Sequence, residues 1–295
     1  MREKKNFMNE EWDIATVRVN PSVIEEYSAQ MMDDHPSIKV GVSSVIGTRK
    51  YQQDTVFANV DNDVAVGIVC DGMGGLEGGE VASQKATMTF AEDFYAWMNS
   101  NEFHEDGVLR FMKDEAVRMD KVITGLKNAS GEFLDAGTTV VAAVVFGNRM
   151  YWLSVGDSRI YLLRDGKIQK LTRDHNVRLL IDEERKRGII SQDEYERKAR
   201  NAEGLISYLG IGEVELIDTN EGGVPIVLEE NDIIILCSDG VYKRLTDEAV
   251  GEIVWCEEPD MERAAKHLTD VVMQYTKNSQ DNTSIVLMQY NHYLS

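Results

Sequence analysis

The chain has 295 residues and a hydrophobic content of 43%, enough to form one large domain with a substantial core rather than a disordered segment. Its formal charge of −20 leaves no basic surface for nucleic acid, and no run approaches the roughly 18 apolar residues of a membrane span. Nucleic acid and the lipid bilayer are therefore not expected partners.

Residues 1–37 are expected to form an N-terminal segment appended to the main domain. Their charged opening leads into acidic residues rather than an apolar signal core, which predicts a cytoplasmic protein. Asn20 before Pro21 suits an N-cap followed by a first helical position, so a short helix is predicted through about Met31. Cys70, Cys237 and Cys256 are widely spaced with no CxxC pair, which does not suit a disulfide framework, and Cys70 and Cys237 end apolar runs, which predicts buried free thiols.

Strand patterns begin at Ile38, and two helix patterns follow them. Apolar or alternating residues from Ile38, and again at residues 64–70, indicate strands separated by Asp-Asn-Asp turn residues. Two later segments place apolar residues three or four apart, which is typical of helices with one buried face. These residues are Ala82, Ala86, Phe90, Phe94 and Met98 in the first segment, and Val108, Met112, Met119, Ile123 and Leu126 in the second.

The second half of the chain is predicted to contain further strands and helices around a charged insertion. Residues 138–172 indicate a meander of three antiparallel strands with turns at Gly147-Asn148 and Asp165-Gly166. The stretch at about 176–203 is dense in charge, with helical spacing in its first half, and is predicted to be a mobile surface flap. Beyond it we expect strands at residues 213–217, 224–228 and 233–237, helices at about 247–254 and 261–277, and a final strand at 284–290.

The order of these elements indicates the fold class. Strands occur in groups and helices in pairs rather than in strict βαβ alternation, which favours an α+β protein. We predict two facing antiparallel β-sheets flanked by helices, an α-β-β-α sandwich, because this arrangement buries one face of every element.

Four aspartates occur in related settings, each at one end of an apolar run. A strand end places a carboxylate at the rim of a sheet, and adjacent Gly or Ser allows the backbone to approach closely. Converging carboxylates repel unless a cation lies among them, and oxygen ligands suit Mg²⁺ or Mn²⁺ rather than zinc. Each Asp-Gly or Asp-Asn pair alone is equally a turn former, but the set favours a metal site. The four are Asp71 in Cys-Asp-Gly-Met-Gly-Gly, Asp157 in Val-Gly-Asp-Ser-Arg, Asp239 in Cys-Ser-Asp-Gly and Asp281 in Gln-Asp-Asn-Thr-Ser.

A series of segments, in this order, resembles the motifs of the PPM, or type 2C, metal-dependent protein phosphatases, including the compact bacterial members. No single segment is specific, but their order is. The resemblance covers about residues 38–290, which leaves residues 291–295 as a C-terminal tail. The segments are Gly47-Thr-Arg-Lys-Tyr-Gln-Gln-Asp54, Asp71-Gly-Met-Gly-Gly75, Gly78-Gly-Glu-Val-Ala-Ser83, Ala136-Gly-Thr-Thr139, Val155-Gly-Asp-Ser-Arg159, Leu171-Thr-Arg-Asp-His175, Ser238-Asp-Gly240 and Asp281-Asn282.

The resemblance implies a centre with two tightly bound Mn²⁺ or Mg²⁺ ions. Asp71 would bridge the two ions, and the Gly72 carbonyl would join one of them. Asp239 and Asp281 would complete the other ion's ligands. Asp54 would support the centre directly or through water.

The same resemblance implies a third, weaker ion held by Asp157 with Asp239. Arg49 lies where the family places a phosphate-binding arginine, and a guanidinium can bind two phosphate oxygens at once. Without the neighbouring motif, Arg49 would be interpreted as a solvated loop charge. Asp71 and Arg49 are therefore the predicted catalytic residues.

The function that the resemblance implies is hydrolysis of phosphoserine and phosphothreonine on proteins by a metal-activated water, with no phosphoenzyme. The expected partners are phosphorylated proteins, and the expected role is in signalling, opposing a serine/threonine protein kinase. We expect a monomer that binds neither nucleic acid nor membrane.

Departures from the family pattern affect the metal centre and the acid. Gln53 replaces a glutamate found in many relatives, which removes a negative charge near the metals. Met73 stands where some relatives have a histidine proposed to protonate the leaving oxygen. His175 could replace that acid, but a histidine in a turn after a strand is more often a local hydrogen-bonding residue. Thr138 and Thr139 could be mistaken for nucleophiles but open a β-branched run.

Two other interpretations belong to different classes. Asp61-Asn-Asp63-Val64 resembles the nucleophile signature of haloacid-dehalogenase phosphatases, although a hairpin turn between two strand-like runs explains it better. A pseudophosphatase that only binds phosphoprotein is the second alternative. The full set of aspartates argues against it, since a binding module does not need every ligand.

Overall fold

The computed structural model describes residues 37–61, 64–74, 78–257, 259–276 and 279–291. The short helix predicted after Asn20 lies outside these residues. In chain order the strands are β1 (Ser37–Val45), β2 (Asp54–Asp61), β3 (Val64–Gly74), β4 (Ala136–Thr138), β5 (Val140–Phe146), β6 (Arg149–Val155), β7 (Arg159–Arg164), β8 (Lys167–Lys170), β9 (Asp218–Thr219), β10 (Ile226–Val227), β11 (Ile233–Cys237) and β12 (Thr283–Asn291). The helices are α1 (Gly78–Met98), α2 (Val108–Thr124), α3 (Val177–Lys186), α4 (Gln192–Ala199), α5 (Asp239–Tyr242), α6 (Asp247–Cys256) and α7 (Met261–Gln274).

Two antiparallel sheets face each other, as the sequence predicts. One sheet has the strand order β1-β12-β11-β7-β8, and the other has the order β10-β6-β5-β3-β2 with β4 beside β3 and β9 beside β6. Apolar side chains from both sheets fill the space between them, among them Val69, Val141, Ile160, Leu236 and Val286. Burying side chains of this size contributes about 1.5–3 kcal/mol each relative to exposure. The α-β-β-α sandwich is therefore confirmed.

Helices cover the outer face of each sheet. The helix pair α1 and α2 packs Phe90, Phe94 and Met112 against the sheet that contains β3 and β5. Helices α6 and α7 pack Val250 and Leu268 against the sheet that contains β11 and β12. The spacing of apolar residues predicted both pairs. None of the described helices is long and apolar enough to cross a bilayer.

The predicted three-stranded meander is wrong, because residues 138–172 contribute strands to both sheets. Strands β5 and β6 pair with each other, as do β7 and β8, but β6 and β7 belong to different sheets. The chain crosses at Gly156, whose φ is +102° and whose Cβ, if added, would lie 2.6 Å from Cγ2 of Thr139. Only glycine fits this crossing, and Asp157 follows it directly.

The strand predicted at residues 213–217 is also wrong. The buried carboxylate of Asp120 accepts hydrogen bonds from the backbone N–H groups of Gly210, Gly212 and Val214 at 2.7, 3.2 and 3.3 Å. These bonds fix the segment as a loop, and pairing resumes only at β9. The strand predicted at residues 224–228 is reduced to the two residues of β10.

The charged insertion contains α3 and also α4, which the sequence pattern did not predict. Ile181, Ile190 and Ala202 form a small apolar cluster of its own, separate from the three larger clusters. The insertion is joined to the body through backbone bonds such as that from Ile206 N–H to the His175 carbonyl at 2.9 Å. The predicted mobility of this flap stays a prediction.

Cys70 and Cys237 are buried free thiols, as predicted, and Cys256 is an exposed free thiol. Burial raises the pKa of both buried thiols to about 12, so they remain protonated and unreactive near neutral pH.

Candidate metal centre

Asp54 and Asp71 lie opposite each other where β2 and β3 pair at the rim of one sheet. Burial raises the pKa of Asp54 to about 7 and raises the pKa of Asp71 well above its ordinary value. The charge of Asp54 raises the pKa of Asp71 further, and the charges of Asp239 and Asp281 raise the pKa of both. The pairing of two strands thus concentrates negative charge at one point.

Asp239 and Asp281 reach the same rim from the other sheet. Asp239 begins α5 directly after β11, and Asp281 lies two residues before β12, which is the neighbour of β11. Both carboxylates raise the pKa of Asp71, so all three are close in space. The hydroxyl of Ser238 donates to Oδ2 of Asp54 at 2.7 Å and links the two sheets at this point.

The arrangement fits hard divalent cations. The Oδ1 atoms of Asp54 and Asp239 are buried and have no hydrogen-bond partner among the described residues. Buried carboxylate oxygens without partners are costly, and a cation would satisfy them. The acidic donors are all oxygen atoms, as Mg²⁺ and Mn²⁺ prefer. Asp54, Asp71, Asp239 and Asp281 thus lie near enough for their charges to interact, and their role as metal ligands stays a prediction.

Basic side chains hold two of these carboxylates. Within the described residues, no group of three acidic, histidine or cysteine side chains is arranged so that it could hold a metal ion as it stands. Instead, Lys243 Nζ donates to Oδ2 of Asp239, and Nη2 of Arg49 lies 2.6 Å from Oδ2 of Asp281. Sequence reasoning missed Lys243, although its spacing of four residues from Asp239 at a helix was a usable signal.

Asp157 lies beside this group, at the crossing between the sheets. The Tyr242 hydroxyl donates to its backbone carbonyl at 3.0 Å. Burial raises the pKa of the Asp157 carboxyl to about 6, with a further increase from Asp239, while Lys243 lowers it. Arg159 binds Asp174 through Nη2 at 2.7 Å and is therefore not the partner of Asp157.

The loop that carries Arg49 is fixed by Asn282, a role that the sequence did not reveal. Asn282 Nδ2 donates to the carbonyls of Ile46 and Tyr51 at 2.9 and 3.1 Å, and its Oδ1 accepts from the N–H of Gln53 at 2.8 Å. One buried amide therefore holds both ends of the Arg49 loop next to Asp281.

The backbone around Asp71 is equally constrained. The N–H of Gly72 donates to the Gln53 carbonyl at 3.0 Å, and a Cβ at Gly72 would lie 2.1 Å from the Gly79 carbonyl oxygen. The hydroxyl of Thr138 donates to the Asp71 carbonyl at 2.9 Å, and the Asp71 N–H donates to the hydroxyl of Thr139 at 3.1 Å. The threonines position Asp71, as their strand interpretation suggests, while the Gly72 carbonyl as a ligand stays a prediction.

His175 is a buried structural residue. It has no solvent exposure; its Nδ1 accepts from the Gly156 N–H at 3.2 Å, and its Nε2 lies 3.1 Å from Oδ2 of Asp218. The bond from the Gly156 N–H to Nδ1 ties the buried imidazole to the crossing at Gly156. The local hydrogen-bonding interpretation of His175 is confirmed.

The haloacid-dehalogenase alternative is not supported. Strands β2 and β3 pair antiparallel, with Asp61 opposite Val64, so among the described residues a paired strand rather than a helix follows Asp61.

Comparison with known proteins gives a consistent result. The sequence profile of the family described as Protein phosphatase 2C matches residues 43–283. The serine/threonine phosphatase stp of Listeria welshimeri is 29% identical over 247 residues, covering 82% of this chain and 92% of that protein. The serine/threonine protein phosphatase PstP of Mycobacterium tuberculosis is 29% identical over 238 residues, covering 79% of this chain and 42% of PstP.

Solved structures show the same fold. The S. agalactiae serine/threonine phosphatase superposes with a TM-score of 0.71 at 23% identity, over 85% of this chain and 99% of that chain. The catalytic domain of PstP in complex with two manganese ions superposes with a TM-score of 0.67 at 24% identity, over 87% and 99% of the respective chains.

Proposed function

Because the chain belongs to the protein phosphatase 2C family, we infer that it is a metal-dependent protein serine/threonine phosphatase. Its relatives from Listeria and Mycobacterium carry that activity in their names. The reaction is hydrolysis of phosphoserine and phosphothreonine on proteins, with Mn²⁺ or Mg²⁺ as cofactor.

The observation that carries this function is the meeting of four carboxylates from two sheets. Asp54 and Asp71 come from β2 and β3, and Asp239 and Asp281 flank β11 and β12. Lys243 contacts Oδ2 of Asp239, but the buried Oδ1 atoms of Asp54 and Asp239 have no hydrogen-bond partner among the described residues, and a cation would satisfy them. A phosphoprotein-binding module would carry this electrostatic cost without benefit, which disfavours the pseudophosphatase.

We propose that Asp71, Asp239, Asp281 and the Gly72 carbonyl hold two metal ions, with Asp54 supporting them. The manganese-bound PstP domain supports the number two. When bound, such ions activate water for attack on phosphorus and stabilise the charge that develops on the phosphoryl oxygens. The hydroxyls of Thr138 and Thr139 bind the backbone carbonyl and N–H of Asp71 and so fix the position of its backbone at the rim.

Arg49 is proposed to bind the phosphoryl group and Asp157 to hold a third, weaker ion with Asp239. The Arg49 side chain is 56% exposed at the rim, and Asn282 fixes its loop, which supports a role towards an incoming phosphate. A third ion that binds Asp157 and Oδ2 of Asp239 would have to displace Lys243 from that oxygen.

We propose the domain organisation and cellular setting from the family membership of the chain. Residues 38–290 act as the phosphatase domain of a cytoplasmic monomer, with residues 1–37 appended, a mobile flap at about 176–203 and a tail at 291–295. The enzyme removes phosphate placed by a serine/threonine kinase in signalling.

Phosphate release from phosphoserine, phosphothreonine and phosphotyrosine peptides tests the function. We expect Mn²⁺- or Mg²⁺-dependent release from the first two that excess EDTA abolishes, and no release from an Asp71→Asn variant that keeps a normal melting curve. Robust turnover in EDTA, or equal activity of Asp71→Asn, would refute the metal mechanism.

A further inference from the structure

Lys243 forms an ion pair that differs from the surface pairs of this protein. It follows α5 directly, one turn after Asp239, and its Nζ donates to Oδ2 of that aspartate. The Asp239 side chain is 13% exposed, whereas the Lys243 side chain is 43% exposed. A carboxylate at the metal centre therefore has an ammonium partner whose stem still reaches solvent.

The same ammonium acts on the second aspartate of the predicted third-ion site. The charge of Lys243 lowers the pKa of Asp157, and the charge of Asp157 acts on Lys243 in turn. Tyr242 holds the backbone of Asp157 against α5, so the distance between Asp157 and the helix is fixed. One amino group therefore lies near both carboxylates that would bind a third cation.

We infer that Lys243 is a tethered cation that competes with the third metal ion for Asp157 and Asp239. The inference rests on the proposed function, since it presumes the two tightly held metals. Two cations cannot share so small a gap between the same carboxylates, because they repel each other strongly at short range. The third ion binds only when Lys243 turns outwards, which its solvent-exposed stem permits.

Because Lys243 is covalently tethered, its ammonium binds Asp239 in preference to a third metal ion from solution. A group on the same helix has a high effective concentration at its partner, whereas a free ion must be supplied from solution. An Mg²⁺ or Mn²⁺ ion held mainly by two carboxylates keeps most of its waters and binds weakly. Lys243 therefore supplies the positive charge at Asp239 whenever the third ion is absent.

Manganese titration followed by the electron paramagnetic resonance signal of free Mn²⁺ tests the competition without an activity readout. We expect two tight ions in the wild type and in Lys243→Gln. The weak site should bind about tenfold or more tightly in Lys243→Gln, a change of about 1.4 kcal/mol or more. Lys243→Arg keeps the charge and should resemble the wild type.

Two further variants show where the effect arises. Lys266 forms a comparable i,i+4 pair with Asp270 at 2.6 Å, but both side chains are at least half exposed and neither residue is a predicted metal ligand. Lys266→Gln should therefore leave the affinity of every metal site unchanged. Adding Asp157→Asn to Lys243→Gln should remove the gain, because the gap then loses a ligand.

The outcomes separate this inference from the function it rests on. Two tight sites with an identical weak site in wild type and Lys243→Gln would overturn the competition while leaving the phosphatase intact. A gain that persists in the double variant would also overturn it, since the ion would then bind elsewhere. If the titration detected no tight Mn²⁺ sites in the wild type, the proposed function itself would be overturned.

Discussion

Nη2 of Arg49 donates to Oδ2 of Asp281 at 2.6 Å, so the predicted phosphate-binding residue contacts a predicted metal ligand. The hydrogen bond and the negative charge of Asp281 both raise the pKa of Arg49, which stays charged at every working pH. A metal ion at Asp281 would take up the carboxylate charge and weaken this pair. We therefore expect metal loading to free the guanidinium for phosphate.

Arg49→Ala should reduce kcat/KM while leaving metal-induced stabilisation intact. A charged hydrogen bond contributes about 1.5–3 kcal/mol. That contribution corresponds to a loss of about 10- to 100-fold, larger in kcat if the contact strengthens in the transition state. Steady-state kinetics on a phosphopeptide measures it, with the exposed Arg110→Ala as control. If Arg49→Ala had the same kinetic constants as the wild type, Arg49 would be only a solvated charge on the loop.

Asp239→Asn and Asp281→Asn should each remove most activity and most of the metal-induced rise in melting temperature. A ligand that binds only the folded state stabilises it by about 2.7 kcal/mol at a hundred times its Kd, so losing a ligand residue removes that shift. Thermal melts with and without Mn²⁺ measure the effect. If both variants were stabilised by Mn²⁺ as much as the wild type, these residues would not be ligands.

Asn282→Ala should impair catalysis through the Arg49 loop. Three hydrogen bonds to the loop backbone are lost, at a cost of about 1–3 kcal/mol for each buried group left unpaired. We expect lower stability and a higher KM for phosphopeptide, with Mn²⁺ still raising the melting temperature. Asn99→Ala, which removes one exposed amide bond, is the control. An unchanged KM would show that the loop is held by other contacts.

Glu115→Gln should stabilise the protein at alkaline pH but not at acid pH. Burial, with a further contribution from Asp93, raises the pKa of Glu115 to about 7. Because the folded-state pKa exceeds the unfolded value, the carboxyl reduces stability as the pH rises from about 4.5 to about 7, and the loss is constant above that range. Denaturant melts should show a gain of about 1–2 kcal/mol at pH 8 and almost none at about pH 4. An equal gain at both values would point to packing instead of ionisation.

Removal of residues 1–36 should leave a folded, metal-dependent phosphatase. Strand β1 begins at Ser37 and is paired along its length with β12, and every predicted ligand lies later in the chain. Circular dichroism, melting temperature and phosphopeptide turnover of the truncated and full-length proteins check this. An inactive or unfolded truncation beside an active full-length protein would place the segment in the core.

The sequence predicted the secondary structure correctly where it depends on the spacing of neighbouring residues. It predicted it wrongly where the structure depends on contacts with residues far along the chain. Apolar spacing identified α1 and α2 because their buried faces repeat every three or four residues. The sheet change at Gly156 was hidden, since Val-Gly-Asp-Ser-Arg suits a hairpin as well as a crossing. Residues 213–217 alternate like a strand, but Asp120, about ninety residues earlier, binds the backbone N–H of Val214.

The candidate site shows the same division. Asp71, Asp239 and Asp281 were recognisable from their motifs, and the structure brings them together. The clamp by Asn282 and the ion pair of Lys243 depend on which loops and side chains meet in space. The i,i+4 spacing of Asp239 and Lys243 allows their pair without establishing it, and no local pattern places Asn282 against the Arg49 loop.

The pairing of β1 with β12 has a consequence for synthesis of the protein. Residues 37–45 leave the ribosome early but can pair only when residues 283–291 have been made. The sheet formed by β2, β3, β5 and β6 needs nothing later than residue 155 for those four strands, so it can assemble while translation continues. Asp54 and Asp71 are then in place long before Asp239 and Asp281. A nascent chain therefore acquires catalytic competence abruptly, after its last strand is released.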